Sequence, residues 1–206
     1  MSAPQPTGRT VDRAHPFRVV RERGAIDAPA AEQAVADLLR ALGRDPESPH
    51  LAETPRRVAG SFAEMLTGPQ FELTTFVNDE GYNELVMARD IPVQSLCEHH
   101  LLPFTGVAHV GYLPGDRILG LSKLARVVDL YARDLQVQER MTTQVARWLE
   151  EHLEPKGVGV VLEAEHLCMS LRGVQKPGAR TVTSALFGRV RDDARTRQEF
   201  LSIVRG

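Results

Sequence analysis

The apolar pattern predicts an α+β fold: an antiparallel sheet with two helices on one face, preceded by an N-terminal helical segment. Three observations predict it. From Glu84 onwards, apolar segments bounded by Gly, Pro and Asp read as strands. Between them lie two consecutive stretches whose apolar residues recur at helical spacing. Ahead of residue 84 only helical periodicity is found. A sheet with one apolar face and helices with one apolar stripe bury both by forming two layers. The 206 residues suffice for one such core and a small appendage.

Each element follows from its residues. Residues 1–24 are rich in Pro, Arg, Thr and Gly with few core-forming side chains, and read as a disordered arm. Asp27 and Pro29 open a helix through Ala31–Leu42, with Val35, Leu38, Leu39 and Leu42 on its core face and Gly43 ending it. Thr54-Pro55 reads as a cap followed by proline at the first helical position, starting a second helix to about Leu66. A polar connection through Asn78-Asp79-Glu80-Gly81 closes this helical segment, residues 25–83. The α+β domain, residues 84–206, begins with strands over Leu85–Val93 and Phe104–Tyr112, the second ended by Pro114-Gly115-Asp116. Helices follow from Ser122, carrying Leu124, Val127, Val128 and Tyr131 inward, and from Gln138, carrying Met141, Val145, Trp148 and Leu149 inward. Gly157 opens a long strand towards Arg172. A last strand spans Thr181–Phe187, and a helix near Asp192–Val204 closes the chain.

Composition excludes several function classes. The formal net charge is −2, so nothing global favours nucleic acid or a membrane surface. No stretch is long and apolar enough to cross a bilayer, and no signal peptide is evident, which makes the reducing cytoplasm the expected compartment.

The chemistry concentrates in Cys97-Glu98-His99-His100 and His166-Leu167-Cys168, which hold both cysteines and three of the seven histidines. Thiolate and imidazole are favoured zinc ligands, and Cys-x-x-His lets two ligands on one bend reach one ion. A further ligand comes from His166-Leu167-Cys168. Two Cys and one His make three protein ligands, the count of a catalytic zinc site that keeps a position for water. Against this, cysteines also serve as small buried hydrophobes, and a pair can form a disulfide, which a reducing compartment disfavours.

On an unbroken strand Val158–Arg172, His166, Cys168, Ser170 and Arg172 share one face, while Glu165, Leu167, Met169 and Leu171 share the other, largely apolar one. His166 alone reads as a core histidine; its place two residues from Cys168 on one face favours function. In Gly120-Leu121-Ser122-Lys123-Leu124-Ala125-Arg126, Ser122 is a candidate N-cap, and Lys123 and Arg126 lie on one face of the first turn. Cations there oppose the helix macrodipole and make sense if an anion is held by the backbone N–H groups and both side chains. A solvated basic turn is the competing reading. Arg57 and Arg172 could add charge to the same anion. Glu139 either favours a helix N-terminus or accepts two donors from a flat heterocycle.

Taken together, the chain resembles the GTP cyclohydrolase I family. The resemblance is carried by Thr54-Pro55-Arg56-Arg57-Val58, Cys97-Glu98-His99-His100, Gly120-Leu121-Ser122-Lys123-Leu124-Ala125-Arg126, and Gln136-Val137-Gln138-Glu139-Arg140. It continues through His166-Leu167-Cys168-Met169, Arg172-Gly173-Val174 and Thr181-Val182-Thr183-Ser184, and covers roughly residues 27–206. It implies conversion of GTP and water to 7,8-dihydroneopterin triphosphate and formate, the entry step to folate. Cys97, His100 and Cys168 would hold Zn2+, which would lower the pKa of a water that attacks C8 of guanine. His166 would be the main proton-transfer group, with His99 close to the reacting nucleotide. Glu139 would face guanine N1–H and the exocyclic amine, and Gln138 would line the pocket. Lys123, Arg126, Arg172 and Arg57 would hold the triphosphate, with Ser122 nearby.

The implied fold is the tunnelling fold, or T-fold, and the implied assembly a toroidal homodecamer of two face-to-face pentamers with sites at subunit boundaries. Two alternatives come from other classes. One is a different T-fold enzyme acting on a pterin or deazapurine, which would not be expected to combine the Cys/His/Cys set with triphosphate-binding cations. The other is a non-catalytic zinc protein that binds nucleotide, which needs a fourth ligand such as Glu98 or His99. A zinc deaminase is disfavoured because Pro-Cys-x-x-Cys is absent.

Overall fold

The structure, a computed structural model, describes residues 18, 19, 21 and 24–206. Helix α1 (Ala28–Ala41) starts where the Asp27 carboxylate accepts from the Ala30 N–H at 3.0 Å, satisfying one otherwise orphaned donor. It is followed by Gly43 at φ 73°, the left-handed region that a glycine enters without steric cost. Helix α2 (Thr54–Leu66) has Pro55 in its first turn, but Thr54 is its first residue rather than its cap, and no side chain caps it. The two helices pack on each other and bury little. Leu38 and Leu42, expected to face a core, are 56 % and 65 % exposed.

The disordered arm expected over 1–24 falls largely outside the described residues. Where it is described, Arg18–Val19 forms strand β1, paired antiparallel with β2 (Phe71–Glu72), and Arg21 bridges Asp134 at 2.7 Å. Strand β3 (Thr75–Val77) pairs with β6 (Arg117–Leu119), so hydrogen bonds cross the segment boundary expected after residue 83.

The main sheet comprises β4 (Val86–Cys97), β5 (Pro103–Leu113), β7 (Leu135–Gln136), β8 (Gly157–His166) and β9 (Arg180–Phe187), in the order β7-β4-β5-β8-β9. Its pairings are antiparallel except β4 with β7, which is parallel, so the sheet is mixed rather than purely antiparallel. Alternation along β4, β5 and β8 sends Val93, Phe104, Val110, Val160 and Leu162 to one face. There they meet Leu124 and Val128 of α3 (Ser122–Ala132) and Met141, Val145 and Leu149 of α4 (Gln138–Leu153).

The opposite face is not left bare at one end. Helices α6 (Gly188–Asp192) and α7 (Ala194–Arg205) cover it, with Phe200, Val190 and Val161 forming a second small core. Helices therefore lie on both faces, where the sequence suggested one. Gly111 and Gly159 make the recess for Phe200: a Cβ on Gly159 would lie 2.6 Å from the ring.

The sheet has two distinct ends. Val86 pairs with Tyr112 at one, and Leu96 with Pro103 at the other. The start of α3 belongs to the first end, because the Leu119 N–H donates to the Tyr112 hydroxyl and the Gly120 N–H to the Thr74 carbonyl. The β4–β5 turn, the start of α4 and the end of β8 belong to the second.

Candidate metal centre and active site

The β4–β5 turn folds His100 back onto Cys97. The N–H groups of His100 and Leu101 donate to the Cys97 carbonyl at 3.2 and 2.8 Å, and Cys97 N–H donates to the Leu102 carbonyl at 2.9 Å. Leu101 closes the turn at φ 55°, a left-handed conformation that a non-glycine residue holds only when its surroundings over-determine it. Cys168 arrives from elsewhere. Strand β8 ends at His166, and Leu167–Ser170 forms the one-turn helix α5. The unbroken strand expected through Arg172 is thus overturned. Helical rotation, rather than pleat alternation, places Cys168, and Met169 and Leu171 are exposed instead of core-facing.

The Cys97 Sγ, a His100 ring nitrogen and the Cys168 Sγ lie within 4.8 Å of one another. The Cys97 Sγ is 3.7 Å from His100 Nδ1. In a tetrahedral zinc site with ordinary bond lengths the sulfur–nitrogen edge is about 3.6 Å, so the donor spacing fits that ion. The thiols fit it chemically as well. Burial pushes the Cys168 thiol up, and the adjacent Cys97 raises it further. Two neighbouring thiols resist ionising together unless a cation compensates them.

Around this cluster the second end of the sheet gathers more groups. Arg172 Nη1 lies 3.5 Å from His100 Nε2 and is exposed. His99 is exposed, its Nε2 3.9 Å from the Glu98 carboxylate. His166 stacks on Phe104 with ring centroids 4.6 Å apart and 13° between planes. Burial lowers its pKa, and nearby Glu139 opposes that shift. Glu139 itself is exposed in the first turn of α4. Gln138, expected to line the pocket, is 1 % exposed, and both polar atoms of its side chain bond within the protein.

The cation group is elsewhere. Ser122, Lys123 and Arg126 lie in the first turns of α3, at the other end of the sheet. The eleven residues of α3 rise about 16 Å, and a short link then reaches β7, whose Gln136 pairs with Cys97, so the first turn of α3 and the cluster stand on the order of 20 Å apart. Ser122 is the first helical residue and not a capping side chain. Lys123 Nζ sits 5.9 Å over the Phe71 ring. Arg57 is exposed on α2. One chain therefore gathers Cys97, His100, Cys168, His166, Glu139 and Arg172, but not Ser122, Lys123 and Arg126.

Several supporting residues escaped the sequence reading. Arg140 pairs with Glu98 and donates to the Leu135 carbonyl and to buried Gln136, so α4, β7 and the metal-binding turn are tied together. Glu165 accepts from the Ser170 hydroxyl at 2.6 Å and the Gly178 N–H at 2.9 Å, clasping the loop that carries Arg172. These donors hold the Glu165 carboxyl below its usual range. The sequence signal for both was weak: a charged residue directly beside a proposed site residue, Glu139 for Arg140 and His166 for Glu165.

Among the described residues, no helix is long and apolar enough to cross a membrane. The family model for GTP cyclohydrolase I matches residues 31–205. GTP cyclohydrolase 1 of Thermobifida fusca is 55 % identical over 187 residues, covering 88 % of this chain and 90 % of that one. The Streptomyces avermitilis protein of the same name is 56 % identical over 187 residues, with 88 % and 92 % covered. That of Aquifex aeolicus is 53 % identical over 182 residues, with 88 % and 99 % covered.

Proposed function

Since the chain belongs to the GTP cyclohydrolase I family of enzymes, we propose that it opens the guanine imidazole ring of GTP at the Cys97–His100–Cys168 end of its sheet. The products are 7,8-dihydroneopterin triphosphate and formate, feeding folate synthesis. The observation that carries this reading is the convergence of two thiols and an imidazole from distant segments, with a proton-transfer histidine and a carboxylate at the same end.

Cys97, His100 and Cys168 would hold zinc, which when bound supplies a Lewis acid that lowers the pKa of water. Arg172, beside His100, sits where its guanidinium can meet a phosphate oxygen. Glu139, exposed in the first turn of α4, accepts guanine N1–H and the exocyclic amine as a pair. His166, kept neutral by burial, accepts a proton as the ring opens and returns it in a later step. His99 stands exposed at the mouth, beside the reacting nucleotide.

Ser122, Lys123 and Arg126 hold the triphosphate of a neighbouring subunit's substrate, with Arg57 adding charge. Their place at the other end of the sheet, a helix's length and more from the Cys/His cluster, supports this sharing. We read the fold as a T-fold and the assembly as a homodecamer of two pentamers, which brings one subunit's α3 to the next subunit's Cys/His end. The test is direct. Purified protein incubated with GTP should release formate and, after oxidation, a fluorescent pterin in equal amounts. Neither product from zinc-replete protein would overturn the reading.

A further inference from the structure

We propose that Gln138 is the positioning residue that decides which ring nitrogen of His166 handles the proton. The proposal rests on the reading of His166 as the proton-transfer group, but its structural half stands alone. Gln138 opens α4 and is buried. Its amide nitrogen lies 3.0 Å from the Leu162 carbonyl oxygen, 2.9 Å from the Thr181 carbonyl oxygen and 3.1 Å from Thr183 Oγ1. Carbonyl oxygens only accept, so the end of the amide facing them must be the NH2 group. Turned over, Gln138 would press its own oxygen against two carbonyl oxygens in a buried site and leave its NH2 group without these acceptors.

The neighbouring hydroxyls agree with this orientation. The Thr142 hydroxyl donates to the Gln138 carbonyl at 2.8 Å. Thr183 Oγ1, 2.7 Å from Thr142 Oγ1, must then donate to it, which leaves Thr183 free to accept from the Gln138 amide. The two amide hydrogens of Gln138 have three acceptors within reach, the Leu162 and Thr181 carbonyl oxygens and Thr183 Oγ1.

With the nitrogen end spoken for, Gln138 Oε1 faces His166 Nε2 at 2.7 Å. An amide oxygen can only accept, so Nε2 carries the hydrogen. The stack on Phe104 holds the ring plane, and a 180° turn that keeps that plane would set a C–H against Gln138 Oε1 and lose this bond. Neutral His166 is therefore the Nε2–H tautomer, and its lone pair is on Nδ1. A proton arriving at His166 bonds to Nδ1. The resulting imidazolium keeps its Nε2–H on Gln138, now as a charge-assisted and stronger bond, and the same proton leaves from Nδ1. Gln138 does not take the proton. It stabilises the charged ring and prevents the tautomer that would turn the lone pair inward. In serine proteases an aspartate has the corresponding task. Here a neutral amide achieves it because two backbone carbonyls forbid its flip.

A purely structural glutamine, tying α4 to β8 and β9, would make the same contacts but would not govern chemistry. The experiment uses zinc-loaded protein labelled with 15N at histidine, the His166 signals being assigned by their loss in His166→Gln. The expected wild-type spectrum shows a protonated Nε2 and an unprotonated Nδ1; a dominant Nδ1–H form overturns the proposal even if no variant folds. Gln138→Leu should then populate both tautomers and lower kcat at least about tenfold, with KM for GTP and bound zinc near wild type. A raised KM with unchanged kcat, the signature of a glutamine that touches substrate, also overturns it. Failure of wild-type protein to turn over GTP would refute the family-level activity while the 15N spectrum still decides the tautomer.

Discussion

At the scale of single residues, the two thiols and His166 make separable predictions. Replacing Cys97 or Cys168 with Ser should lose bound zinc and turnover together, measured by metal analysis alongside formate release. His166→Ala should instead cost about a hundredfold or more in rate while zinc stoichiometry holds, since general acid–base groups contribute on that order. Zinc removal has a further consequence. Two thiolates on one zinc lie about 3.8 Å apart, and a disulfide needs about 2.05 Å, so only a small approach separates them. Chelation in air, with dioxygen as oxidant, should form a Cys97–Cys168 bond that reductant plus zinc reverses. Two free thiols per denatured chain after inactivation would refute it. Glu139 predicts selectivity for base: adenine lacks both donors, and once a bound base closes this exposed carboxylate off from water, leaving it unpaired discriminates by about ten-thousand-fold. Competition of ATP against GTP binding reads this directly, and near-equal affinities would remove Glu139 from the base-reading role.

Elements succeed or fail here by what they pack against. Helices α3 and α4 match their sequence pattern because a 3.6-residue stripe had a sheet face to cover: of the residues the periodicity named, all are buried except Tyr131, which is half-buried. In α1 the same periodicity finds no core within the chain, and its apolar positions stay largely exposed. Strand β8 stops at His166 because Leu167–Ser170 closes a helical turn, with Leu171 N–H donating to the Leu167 carbonyl at 3.0 Å. The C-terminal helix α7 docks through Phe200 on two glycines, an arrangement its own residues do not announce. Gly159→Ala tests that docking. The added Cβ would stand 2.6 Å from the Phe200 ring, so the ring or helix must shift. Overpacking of this kind costs about 1–3 kcal/mol, expected as a lower denaturation midpoint with metal binding intact. An unchanged midpoint would show that α7 yields freely.

For the molecule as a whole, the separation of the two functional groups is the dominant fact. The Cys/His cluster and the α3 cations occupy opposite ends of one sheet, and the proposed site combines one copy's cluster with a second copy's cations. Mixing tests this. His166→Ala and Lys123→Ala should each be nearly inactive alone. Co-assembled at random in equal amounts, they should regain roughly a quarter of wild-type sites, those that combine an intact end from each chain across a head-to-tail interface. No recovery in demonstrably mixed oligomers would place both residues in one chain's site and contradict the geometry. Separately purified variants that do not exchange subunits provide the baseline.

Much of this was legible in the residues. The Cys-x-x-His bend is local: four residues and a turn suffice to set Cys97 against His100, so spacing alone could announce it. Helix periodicity announced α3 and α4 for the same reason, since a helix's faces are set within its own turns. Other features depend on partners far along the chain. The tautomer of His166 depends on the carbonyls of Leu162 and Thr181, which reach Gln138 only once α4 lies across β8 and β9. The parallel β7, the helices on the second face and the distance between Lys123 and Cys97 all arise from pairing and packing between distant segments. Local sequence encodes the conformations a stretch prefers; which of them meet is settled by the joint burial of surfaces that no single stretch contains.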